Sequence, residues 1–148
     1  MQDVGFTLSE LSNLSDECGQ VEDMIMGFKD SHRLEFVSHG WWTSSFSYQN
    51  MKTHAPDLYA SLSSSDLVIF KGDLNYRKLV GDVACPPTVS FRDALGSLVD
   101  GGMKIVALRT NKSDVIVGLE EGVAETVAMI DSKWMVNGQF GVIQTINL

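Results

Sequence analysis

Two short apolar runs constrain the fold of this 148-residue chain more than any other feature: LVIF at 67 to 70, and KIVAL at 104 to 108, apolar after its lysine. Neither alternates with polar residues, and an uninterrupted run of that length suits a strand covered on both faces, as in parallel sheets. Helical patterns surround them. Pro56 opens DLYASL, which Ser63 to Ser65 break; a helix over 74 to 80 follows LVIF at once; SFRDALGS at 90 to 97 reads as another, and residues 121 to 130 as a further one. Gly101-Gly102 marks a turn, Asp114 to Leu119 a strand or loop, and FGVIQTI at 140 to 146 a final strand. Upstream, Thr7 and Glu10 have capping-box spacing before Leu8, Leu11 and Leu14 come round at helical intervals. Val21, Met24, Ile25 and Phe28 predict a second helix ending near Ser31-His32, RLEFVS at 33 to 38 a strand, and His39 to Thr43 a loop. Strands alternating with helices predict an α/β fold: a mostly parallel, Rossmann-like sheet with helices on its faces. Four or five strands have few helices to cover them, so residues 1 to 148 read as one α/β unit, an incomplete part of a larger α/β domain.

The charge balance narrows the partners. A net charge of −8 argues against a broad phosphate-backbone surface, which needs clustered cations, so nucleic acid is not an expected partner. Yet five of the 11 basic residues, Lys71, Arg77, Lys78, Arg109 and Lys112, fall in two short segments, which suits a small anionic ligand. No stretch reaches the roughly 18 apolar residues of a membrane span, and no basic segment leads into an apolar run at the start. Cys18 and Cys85 have no metal-ligand spacing, and two reduced thiols are the simpler reading. The expectation is a cytoplasmic protein, the nucleus being left open, with no membrane partner.

Both basic segments follow an apolar strand, and ligands of open α/β sheets bind beyond the carboxyl ends of the strands. KGDLNYR comes after LVIF and RTNK after KIVAL, so neighbouring strands can aim cations and a carboxylate into one crevice. Gly72 allows a sharp turn there. Asp73 and Arg77, four apart, share a helix face, with Asn75 on another. A plainer reading has Asp73 capping the helix and Arg77 paired with it, which leaves Lys112 unexplained. GxxxxGK[ST], GxGxxG and GxSxG are all absent, and His32, His39 and His54 have no metal spacing. Trp41, Trp42 and Trp134 read as core closure before ligand walls, and Glu120, Glu121 and Glu125 as a solvated helix start.

The run DLVIFKGDLNYRKLVGD closely resembles the signature of the damage-control phosphatase family, in particular its sugar phosphate phosphatase III subfamily, whose animal members are also called acidic residue methyltransferase. RTNK resembles the subfamily's RTxK motif, APDLYASL and VGLEEG fit as well, and the similarity runs from about Trp42 to Phe140. The resemblance implies a metal-dependent phosphatase acting on sugar phosphates such as fructose 1-phosphate and fructose 6-phosphate, with manganese, cobalt or nickel. It implies substrate contacts from Asp73, Leu74, Asn75, Tyr76, Arg77 and Lys112, with Asp73 the catalytic candidate. Lys71 and Arg109 are further phosphate-site candidates from their positions. The family's Asp-Asn metal pair does not occur in this sequence, and Asp3, in Asp3-Val4, is the remaining candidate for a metal ligand. Methyl transfer with S-adenosylmethionine follows from the family name alone. The rival expectation is a truncated, non-catalytic fragment that binds phosphorylated sugars or a partner without turnover.

Overall fold

The computed structural model of the chain describes residues 16 to 31 and 34 to 148, and these fall into two compact units divided after Gly40. The helix expected from Thr7 to Leu14 lies outside the described residues, as does Asp3. In the first unit, α1 (Asp16–Asp30) follows the Val21, Met24, Ile25, Phe28 periodicity and ends where expected. The strand expected at 33 to 38 does not form: residues 34 to 39 are irregular, and Val37 is 72% exposed. Among the described residues the alternation there finds no pairing partner, and a strand needs a ladder before its propensity counts.

The second unit carries the fold. Short 3-10 turns at Gly40–Thr43 and Tyr48–Asn50 lead into α2 (Met51–His54) and α3 (Pro56–Ser63), with Pro56 at the first turn, where its missing N–H costs nothing. Then come β1 (Val68–Lys71), α4 (Asp73–Leu79), α5 (Phe91–Leu95), a 3-10 turn (Gly96–Val99), β2 (Ile105–Thr110), α6 (Val123–Ile130) and β3 (Gly141–Ile146). Ser90 caps α5, its hydroxyl accepting from the Asp93 N–H. Asp114 to Leu119 is loop.

The α/β class holds, and the sheet is small and mixed, in the order β1-β2-β3. β1 and β2 are parallel, with Val68 opposite Ile105 and Lys71 opposite Leu108; β3 returns antiparallel, with Ile105 opposite Ile146 and Thr110 opposite Gly141. Three strands stand where four or five were expected, among the described residues. One face is covered: Val68, Phe70, Ile105 and Ala107 pack with Tyr48, Met51, Tyr76, Leu79, Leu95, Leu98 and Val117 in a single core. The other face is open, with Ile69 57% and Ile143 76% exposed, so the expectation of a strand buried on both sides fails here. The unbroken apolar run is the sequence of a doubly covered strand, and what the described residues supply covers one side, as expected of part of a larger α/β domain. Trp41 and Trp134 are buried, as core closure predicts. No helix among the described residues is long and apolar enough to cross a membrane.

Candidate functional site

Because β1 and β2 are parallel, their carboxyl ends at Lys71 and Thr110 open on the same edge of the sheet. Gly72 follows with φ 103° and ψ 163°, a region closed to residues with a Cβ, and turns the chain so that Asp73 opens α4. Here a cavity of about 530 Å³ is lined by Lys71, Asp73, Arg109 and Lys112 from the two strand ends, with Gly141 to Ile143 of β3 as its far wall. β3 approaches closely only because Gly141 has no side chain: a Cβ there would stand 2.5 Å from the Arg109 carbonyl oxygen.

The two motifs meet through an ion pair. Arg109 Nε donates to Asp73 Oδ1 at 2.8 Å, with the arginine side chain 0% and the aspartate 16% exposed. The rest of the guanidinium is also committed: Nη1 to the Val115 carbonyl, and Nη2 to the Ser113 carbonyl at 2.9 Å and to Ser113 Oγ at 2.8 Å. Its plane lies over the Tyr76 ring, 4.4 Å from the centroid. The Lys112 N–H and the Ser113 hydroxyl also donate to Asp73 Oδ1, at 3.1 and 3.2 Å. Arg109 thus neutralises the one carboxylate lining the cavity, and among the described residues neither the Lys71 nor the Lys112 ammonium is in an ion pair. Two exposed cations remain for an anion, held near each other by rigid strand ends.

Helical rotation scatters the rest of the Asp73 to Arg77 run. Leu74, 63% exposed, and Asn75 line a second, more apolar cavity of about 370 Å³ with Trp42, Tyr48 and Phe70. Asn75 Oδ1 accepts from the Tyr48 hydroxyl at 2.6 Å, and its Nδ2 donates to the Lys71 carbonyl at 2.8 Å. Tyr76 is 1% exposed; its hydroxyl donates to Gln144 Oε1 at 2.8 Å and accepts from the Val117 N–H at 3.2 Å. Burial pushes both phenols up, Tyr48 to about 12. Arg77 does not pair with Asp73: its fork grips Asp82 through two 2.7 Å bonds, which together with the charge of Asp82 push the guanidinium up. Nor does Asp73 cap α4, whose N-cap is Gly72 without a side-chain bond. The structure therefore brings Lys71, Asp73, Arg109 and Lys112 together at the cavity, whereas Leu74, Asn75, Tyr76 and Arg77 do not line it, Tyr76 being buried against Arg109.

Sequence reading missed Ser113, Tyr48 and Asp82. Ser113 directly follows RTNK and could have been flagged as a hydroxyl at a strand end; the partners of Tyr48 and Asp82 had no local signal. Among the described residues no three metal-ligating side chains cluster, so they do not by themselves assemble a cation centre. Asp73 is the one carboxylate at the cavity.

Comparison with known proteins fits this geometry. Residues 1–127 match the damage-control phosphatase ARMT1-like domain, a span that ends before β3. The chain is 44% identical over 116 residues to damage-control phosphatase ARMT1 of Xenopus laevis, covering 78% of the chain and 26% of that protein. It is 37% identical over 136 residues to the Rattus norvegicus protein of the same name, covering 92% and 30%. With the Homo sapiens protein it shares 38% over 109 residues, covering 74% and 24%. The chain spans about a quarter of the length of these relatives. Strand ends that pair Asp73 with Arg109 and leave two lysines for an anion, in a sequence matched over most of its length, identify the chain as a member of the damage-control phosphatase ARMT1-like domain family.

Proposed function

We propose that this chain forms the phosphate-holding part of a metal-dependent phosphatase for small sugar phosphates of the fructose 1-phosphate or fructose 6-phosphate type. The observation that carries the reading is the surplus of positive charge at the strand ends: Lys71 and Lys112 stand at a cavity whose single carboxylate is already matched by Arg109. Two ammonium groups carried at and just beyond the strand ends can stabilise the charge that builds on a phosphoryl group as its ester bond to the sugar breaks. Lys112 is the principal phosphate contact and Asp73 the catalytic candidate at the same cavity. Arg77 ranks below Lys112, since its guanidinium must exchange Asp82 for a ligand. Metal dependence, with manganese, cobalt or nickel, comes from the family resemblance. Methyl transfer from S-adenosylmethionine rests on the family name alone and is not proposed. Similarity to proteins named as phosphatases favours hydrolysis over a binding-only fragment.

The test is release of inorganic phosphate from fructose 1-phosphate by the purified 148-residue chain, with manganese added and then chelated. Release that needs the metal and disappears in Asp73→Ala is expected. No release from a chain shown to be folded would overturn catalysis by this chain.

A further inference from the structure

Asp73 is held lopsidedly for a carboxylate at a ligand cavity. Its Oδ1 takes three hydrogen bonds, from Arg109 Nε, the Lys112 N–H and the Ser113 hydroxyl, whereas among the described residues none reaches Oδ2. All three donors belong to residues 109 to 113, at the end of β2 and just past it, while Asp73 opens the helix after β1. The Ser113 hydroxyl has one proton; it accepts from Arg109 Nη2 at 2.8 Å and so turns that proton to Asp73. Arginine, serine and aspartate form a chain with one direction, which fixes the plane of the carboxylate as well as its place.

A carboxylate oxygen left over in this way accepts hydrogen bonds and repels anions. It suits a hydroxyl and not a phosphate oxygen, which belongs with the lysines. Resting on the phosphate-site reading above, we propose that Ser113 is a positioning residue for substrate selection. By latching Asp73 through Oδ1, it keeps Oδ2 as an acceptor for a hydroxyl of the sugar, so that the cavity prefers a polyhydroxylated phosphate ester to inorganic phosphate.

The experiment compares the dissociation constants of fructose 1-phosphate and inorganic phosphate, by calorimetric titration, for the full 148-residue chain and its Ser113→Ala and Ser113→Thr variants. Ser113→Ala lowers the preference for the sugar phosphate about fivefold, leaves inorganic phosphate within about twofold and keeps the thermal midpoint; threonine, which retains the hydroxyl, restores the preference. A merely structural serine would weaken both ligands together or lower the midpoint, and either result overturns the proposal, as does an unchanged preference. Wild-type chain that binds neither ligand would overturn the phosphate-site reading itself, and this inference with it.

Discussion

Asp73 and Arg77 stand four residues apart on one helix, and each has an opposite charge at 2.7 to 2.8 Å, yet the two pairs sit in different media. Asp73 reaches across to Arg109, with side chains 16% and 0% exposed; Arg77 reaches along its own chain to Asp82, at 37% and 44%. In the first pair the arginine has left water, each of its three nitrogens has found an acceptor, and its plane rests on an aromatic ring. In the second, solvent competes for both partners, so the pair is cheap to break and the guanidinium can be recruited elsewhere. The lesson concerns cations near a proposed phosphate: the best-connected arginine is the least free to bind one. The buried cation builds the cavity wall, and the exposed lysines stay open to a ligand.

Removing each arginine breaks the comparison most directly. Arg109→Ala leaves Asp73 without its counter-ion and opens a gap above Tyr76, and loss of one partner of a buried pair costs about 3–5 kcal/mol. Against a typical domain stability of about 5–15 kcal/mol, that is a large downward shift of the urea midpoint. Arg77→Ala is expected to move the midpoint little. Equal shifts for the two variants would show that burial does not separate the pairs.

A smaller effect sharpens the comparison at Asn75, which lies between the two ion pairs and is oriented by Tyr48. The folded-state value of Tyr48 is about 12, against an ordinary 10.0, because burial disfavours the phenolate. Between those values the unfolded chain has released a proton that the folded chain keeps, so stability falls as pH rises from about 10 to about 12. Tyr76, raised by the same cause, adds to the slope. Denaturation curves across this window should be less steep in pH for Tyr48→Phe than for wild type, and an identical slope would mean that Tyr48 is not held as described.

Much of this arrangement was legible in the letters. LVIF and KIVAL gave the two parallel strands, Gly72 the turn, and KGDLNYR with RTNK the cavity, because strand ends and glycines act locally. What sequence could not supply was tertiary. Ile69 looks as buried as Phe70 until the open face of the sheet is seen. FGVIQTI reads as a strand, but its antiparallel direction follows from where the chain re-enters the sheet. The i,i+4 rule offers Asp73 to Arg77, yet Asp73 finds better donors 36 to 40 residues away, and Asp82, at φ 53°, folds back onto Arg77 past the end of the helix. Spacing rules rank partners within a helix and do not see competitors from the next strand.

The central claim, that exposed lysines at the strand ends hold the phosphate, is tested most directly by titrating fructose 1-phosphate into wild type, Lys112→Ala and Arg77→Ala. Loss of a charge-assisted contact worth about 1.5–3 kcal/mol predicts at least about tenfold weaker binding for Lys112→Ala, with Arg77→Ala within about threefold of wild type. Wild-type affinity in Lys112→Ala, with binding lost in Arg77→Ala, would contradict the account and move the phosphate to Arg77.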